Sequence, residues 1–201
     1  MLDLLSGLRA LDAWGFLLIN RTLQNPLFDL LMPILSTKRY AILPAAVGIF
    51  LLMRRGGRRM WVLLVVAVAA VALSDLGANL IKAGLQRIRP CHVIPDVHVL
   101  VGCTRSFSWP SNHASNMFAV ATVGWLGFRR WRWALFLLAA GVAYSRVYVG
   151  VHYPADVLAG ALWGAGIGWL AYSCVARAWP GWSNARRGPA PREAGCSPGG
   201  A

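Results

Sequence analysis

The chain has 201 residues, 57% of them hydrophobic and 13% charged, and its mean hydropathy of +0.53 is too apolar for a soluble domain of ordinary composition. Twenty Lys and Arg against seven Asp and Glu give a net charge of +13, but the cations form short clusters between apolar runs, the pattern of membrane topology signals and not of a nucleic-acid-binding face. The acidic residues are only Asp3, Asp12, Asp29, Asp75, Asp96, Asp156 and Glu193, which argues against a multi-carboxylate Mg or two-metal site.

Taken in chain order, residues 1–39 hold no apolar run long enough to cross a bilayer. Segments 11–20 and 26–36 are mostly apolar with Asp12, Arg21 and Asp29 interspersed, which fits interfacial or re-entrant helices. The alternative is a sixth span that starts near Pro26, kinks at Pro33 and returns the amino terminus to the cytoplasm. The first residues lack a basic stretch ahead of an apolar core, so no cleavable signal peptide is expected.

Five apolar stretches follow, at about 40–53, 61–81, 111–128, 133–145 and 155–176. Arg54, Arg55, Arg58 and Arg59 separate the first two, Arg129, Arg130 and Arg132 separate the third from the fourth, and Arg177, Arg186, Arg187 and Arg192 follow the fifth. Positive-inside bias places all three clusters in the cytoplasm. Segments 87–110 and 146–154 then lie outside, where Arg87, Arg89, Arg105 and Arg146 are disfavoured cations that an outward-facing anion site would explain. The expected organisation is an all-α, polytopic membrane bundle of five to six spans: N-terminal interfacial or re-entrant helices at 1–39, a transmembrane core at 40–177, and a basic, disordered cytoplasmic tail at 178–201.

The outer segments carry the chemistry. Lys82, one of only two lysines, closes the second span, and Arg89 with Pro90 follows seven residues on. If the helix continues, the two cations share a face ~10 Å apart. Alone, Lys82 reads equally well as a snorkelling end residue. Pro110, Ser111, Asn112 and His113 open the third span, where a helix start offers free N–H groups and its positive dipole end to an anion. Ser145 and Arg146 end the fourth span; His152 follows the turn and Asp156 opens the fifth. On a helix or its extension, His152 and Asp156 share one face, and a carboxylate on one imidazole nitrogen leaves the other as a nucleophile or base. Each piece alone has an ordinary structural explanation, but together they converge from four spans on one outer interface.

The patterns K-x6-R-P at Lys82–Pro90, P-S-N-H at Pro110–His113 and S-R-x5-H-x3-D at Ser145–Asp156 resemble, in order and spacing, the three signature motifs of the type 2 phosphatidic acid phosphatase superfamily. The resemblance covers residues 82–156 and the surrounding spans, and departs only at Asn112, where the family often has Gly. It implies a metal-independent, cofactor-free phosphatase. In it Lys82, Arg89, Ser111, Asn112 and Arg146 bind phosphate, His152 attacks phosphorus to give a phosphohistidine, Asp156 holds its tautomer, and His113 protonates the leaving oxygen and then activates water.

Behind these residues, Ser145 is a candidate for the phosphate cradle. Asp75 and Asn79, below Lys82 on its helical side, are candidates for a buried polar ladder that steers it. Gly160, Gly164 and Gly168 repeat every four residues, which points to close packing within the chain more than to a dimer seam, and the sequence assigns no oligomeric state. Cys91 and Cys103 bracket the outer loop. They read as a disulfide, two free thiols, or a metal pair with His92 or His98, while Cys174 and Cys196 lie at the other side.

The expected partners are the bilayer and a lipid phosphate, with no nucleic acid. Among lipid phosphates, resemblance to small bacterial members implies undecaprenyl diphosphate, cleaved to the monophosphate at the outer face of the bacterial inner membrane. Phosphatidylglycerophosphate, phosphatidic acid and lipid A 1-phosphate are the alternatives. A non-catalytic lipid-phosphate binder or transporter is the rival class, and it would not need His152, Asp156 and His113 together.

Overall fold

The computed structural model describes residues 2–128 and 132–179. Regular structure there is entirely helical: α1 (Leu2–Leu17) runs into a π-helical turn (Leu18–Thr22), then α2 (Pro26–Ser36), α3 (Lys38–Leu85), the single turn α4 (Pro90–Val93), α5 (Asn112–Gly127), α6 (Arg132–Tyr148) and α7 (Pro154–Ala178). Local chemistry sets several of these boundaries. Asn25 caps α2 by accepting from the Phe28 amide at 2.9 Å, with Pro26 pre-set for the first helical position. At the far end of α3, Gln86 takes the left-handed conformation and its N–H closes onto the Lys82 carbonyl.

The five expected apolar stretches all lie in helices, and the protein is an all-α membrane bundle. Among the described residues, two helical stretches are long and apolar enough to cross a bilayer, Gly57–Val93 with a mean hydropathy of 2.2 and Pro154–Ala178 with 1.4. The first two stretches lie on two successive helical segments of α3 that meet at a kink at Gly57, whose φ of +56° glycine adopts without steric cost. α2 and the first part of α3 meet at 80°, the geometry of a broken span or re-entrant pair. The bend falls at Thr37, where the backbone turns extended, and not at Pro33, which sits inside α2.

The core is a seam between α5 and α7. A Cβ added to Gly160, Gly164 or Gly168 would stand 2.5, 1.9 or 2.6 Å from the carbonyl oxygens of Ser111, Ser115 and Ala119. One face of α7 therefore lies directly on the α5 backbone, a contact within this chain. Large apolar side chains take α7's other face, with Leu158, Leu162, Trp169 and Leu170 exposed, as expected where the solvent is lipid. α3 joins through Ser74, whose hydroxyl bonds that of Ser115 and whose carbonyl accepts from Trp163 Nε1 at 3.0 Å.

Basic residues collect at one end of the bundle. The Arg58 guanidinium lies 4.5 Å from the Trp179 ring centre, Arg59 donates to the Gly127 carbonyl, and Arg132 lies 5.0 Å from the Trp125 ring. Lys82, Ser111, Arg146 and Asp156 mark the opposite ends of the same helices. Arg129, Arg130 and positions 180–201, with Arg186, Arg187, Arg192, Glu193 and Cys196, lie outside the described residues.

Candidate active site

α3, α5, α6 and α7 deliver Lys82, Ser111, Arg146 and Asp156 to this end, and the turn after α6 adds His152. That turn depends on Gly150 at φ +85°. A Cβ there would meet the His98 carbonyl oxygen at 2.9 Å and a Val97 methyl at 2.7 Å, so glycine lets the loop between α4 and α5 close over it.

His152 is 2% exposed and held at both ring nitrogens. Arg89 Nη1 lies 3.0 Å from Nε2, and Asp156 Oδ2 lies 3.3 Å from Nδ1. A guanidinium only donates, so Nε2 must be the acceptor and the proton sits on Nδ1, facing the carboxylate. Asp156, in the first turn of α7, also reaches back to the Tyr153 N–H at 2.9 Å, while its backbone carbonyl accepts from the Ser111 N–H at 2.9 Å and fixes the start of α5.

Burial, followed by the charges of Arg89, Arg146 and Lys82, holds the His152 imidazole well below its usual pKa. In 15N NMR of histidine-labelled, ligand-free protein in micelles, His152 is therefore expected to be neutral at pH 6 and protonated at Nδ1. A cationic ring or an Nε2–H tautomer at that pH would contradict the geometry.

Backbone carbonyls of the loop between α4 and α5 place the cations. Lys82 Nζ donates to the carbonyls of Phe107 at 2.9 Å and Pro110 at 2.6 Å. Arg89 Nε donates to the Ser106 carbonyl at 2.8 Å, and Nη1 donates to that of Val151 at 3.0 Å. The helix that carries Lys82 ends at Leu85, so Arg89 does not share a helical face with it; the loop folds the two back together. Arg146 donates through Nη1 to the hydroxyl and carbonyl of Ser36, and its buried Nε has no partner. Ser111 occupies the N-cap of α5 without capping it, and its hydroxyl is likewise buried and unpartnered, although most buried polar atoms are paired. His113 stands one position into α5, with Arg146, Lys38 and Arg89 as its cationic neighbours and the His152 ring nearby. Fixed cations and unpaired donors grouped around an imidazole lone pair are groups that could hold a tetrahedral anion.

Four candidates lie elsewhere or work differently. Asn112 donates to Asp75 Oδ1 at 2.8 Å and to Asn79 Oδ1 at 3.0 Å, so its amide nitrogen is engaged between α3 and α5. Asp75 also accepts from Asn116 at 3.0 Å and Asn79 at 3.1 Å. This ladder ties α3 to α5, but it is half-exposed, not buried, and none of its hydrogen bonds reaches Lys82. Ser145 donates to the Val142 carbonyl three residues back in its own helix at 2.7 Å, so its hydroxyl belongs to α6 and not to the cradle. Cys91 and Cys103 are joined as a disulfide, Cα atoms 6.5 Å apart, with His92 Nε2 3.3 Å from Cys103 Sγ.

Sequence reasoning gave no site role to Asp12, Ser36 or the other lysine, Lys38, and gave Arg87 no particular partner. Arg87 had a signal, being a cation on the disfavoured side, and Asp12 was one of few acids in an apolar segment.

The architecture is that of a multi-pass membrane protein whose helices gather buried cations around a histidine. The family model described as the PAP2 superfamily matches residues 61–180, and the chain belongs to that superfamily. It is 34% identical over 135 residues to an undecaprenyl-diphosphatase of Sulfolobus acidocaldarius, covering 66% of this chain and 63% of that relative's length. Over 166 residues it is 31% identical to a lipid A 4'-phosphatase of Bacteroides thetaiotaomicron, covering 78% and 73% of the two chains. Among solved structures it resembles LpxE of Aquifex aeolicus, with a TM-score of 0.63 at 26% identity over 79% of this chain and 92% of that one.

Proposed function

We propose that the protein is a metal-independent lipid phosphatase that hydrolyses a lipid diphosphate, undecaprenyl diphosphate, to the monophosphate through a phosphohistidine at His152. The observation that carries this reading is the two-sided hold on His152, which leaves Nε2 as a lone pair directed among Arg89, Arg146 and Lys82.

On substrate binding, Arg89 transfers its Nη1 hydrogen bond from His152 to a phosphate oxygen, joined by Lys82, Arg146 and the Ser111 hydroxyl. Nε2 then bonds to phosphorus as the bond to the leaving oxygen breaks, and His113 donates the proton that oxygen needs. In the second half His113 takes a proton from water, water attacks phosphorus, and the P–N bond breaks to release inorganic phosphate and restore His152. Positioning and charge neutralisation supply the catalysis, with developing oxygen charge matched by cations held in place beforehand.

The name of the Sulfolobus relative supports the choice of substrate. The basic end formed by Arg58, Arg59 and Arg132 supports a cytoplasmic placement of that end, which puts the site on the periplasmic or external face of a bacterial inner membrane.

Phosphate release in detergent tests this on undecaprenyl diphosphate, phosphatidylglycerophosphate, phosphatidic acid and lipid A 1-phosphate. Undecaprenyl diphosphate is expected to turn over fastest. Activity is expected to persist in EDTA and to be inhibited by vanadate, which imitates five-coordinate phosphorus. Loss in EDTA with recovery on adding Mg would overturn the metal-free mechanism. Binding without release from any lipid would make the protein a carrier.

A further inference from the structure

Asp156 has a second oxygen that its bonds to His152 and Tyr153 do not use. Arg87 Nη1 donates to this Oδ1 at 2.7 Å, and Arg87 Nη2 donates to Asp12 Oδ2 at 2.6 Å. Asp12 belongs to α1, and its Oδ1 accepts the Ala155 N–H at 2.8 Å, one of the free donors at the start of α7. One acid and one base thus link α1, the outer loop and the head of α7.

Packing holds the same arrangement. The Arg87 guanidinium lies 4.1 Å from the centre of the Tyr153 ring, and the Tyr153 ring centre is 5.5 Å from that of Phe16, which is wholly buried. Phe16 is one helical turn beyond Asp12, so both project from one side of α1 toward the site. Arg87 is half-buried, and neither it nor Asp12 falls on a motif position.

We infer that Arg87 and Asp12 are positioning residues that lock the Asp156 carboxylate and, through it, the tautomer and aim of His152. This rests on the assignment of His152 as nucleophile. With both oxygens engaged, the carboxylate has one orientation, and only that orientation presents Oδ2 to Nδ1. Without Arg87, Oδ1 is a buried acceptor lacking its charged donor, and rotation toward other donors releases the imidazole.

Arg87→Ala is expected to lower kcat about 10- to 100-fold with KM changed less than about threefold, because substrate still meets Lys82, Arg89 and Arg146. Added guanidinium should restore part of the rate, Arg87→Lys should retain an intermediate rate, and His152 should lose its single Nδ1–H tautomer in 15N NMR. Asp12→Asn, which keeps the cap on Ala155 but loses the ion pair, is expected to show a smaller kcat loss and carries the test if Arg87→Ala does not fold. Either wild-type kcat in the folded variants, or a loss with an unchanged tautomer and no guanidinium rescue, overturns the inference. Measuring His152→Ala alongside separates the two assignments: full activity there would remove the nucleophile itself, whatever Arg87 does.

Discussion

His152→Ala is expected to reduce phosphate release by about four orders of magnitude or more, while the protein still inserts and runs as a single species in detergent. The ring is small relative to the bundle, and its partners Arg89 and Asp156 keep other bonds, to Ser106, Val151, Arg87 and Tyr153. No other described side chain places an imidazole nitrogen between Arg89 and Asp156. His113→Ala fails differently. It lacks the proton donor for a poor leaving group and the base for hydrolysis, so an activated aryl phosphate should load His152 and the phosphoenzyme should accumulate. Acid-labile, base-stable 32P on the chain would report it. Near wild-type turnover in His152→Ala on the preferred lipid would sink the mechanism.

The second large effect is structural. Gly164→Leu places a branched side chain where even a Cβ would stand 1.9 Å from the Ser115 carbonyl oxygen, against backbone that cannot yield like a flexible side chain. α5 and α7 must separate, and with them Ser111 and Asp156, whose bond across the seam sets the floor of the site. Gly164→Ala is expected to cost about 1–3 kcal/mol in stability, and Gly164→Leu to prevent recovery of folded protein. Gly166, two residues on, has nothing within 4 Å of an added Cβ, so Gly166→Ala should be neutral or slightly stabilising. Thermal unfolding in detergent compares them, and equal melting temperatures for Gly164→Ala and Gly166→Ala would show that the seam is not close-packed.

Much of this was legible in the sequence because it is written in local terms. Apolar runs of membrane length mark helices, arginine clusters mark one end, and the spacings from Lys82 to Pro90, Pro110 to His113 and Ser145 to Asp156 mark the other. Glycines four apart announce a close helix contact without naming the partner. What stayed hidden depends on side chains meeting across long separations. Arg87 and Asp12 pair over 75 residues, and Arg146 and Ser36 over 110, with no periodicity to reveal either. The engagement of the Asn112 amide with Asp75 and Asn79 was equally hidden, because a position in a motif says nothing about which acceptors the neighbouring helix presents. The Lys82–Arg89 face failed for a conformational reason: Gln86 turns left-handed and stops the helix.

The loop between α4 and α5 grips Lys82 and Arg89 mainly through main-chain carbonyls, at Ser106, Phe107 and Pro110. Charge placement is thereby separated from side-chain identity along that stretch. A residue such as Phe107 is free to change size or polarity while its carbonyl goes on holding the ammonium. The loop can therefore vary in its side chains around a fixed charge pattern, a rim open to change without rebuilding what lies beneath it.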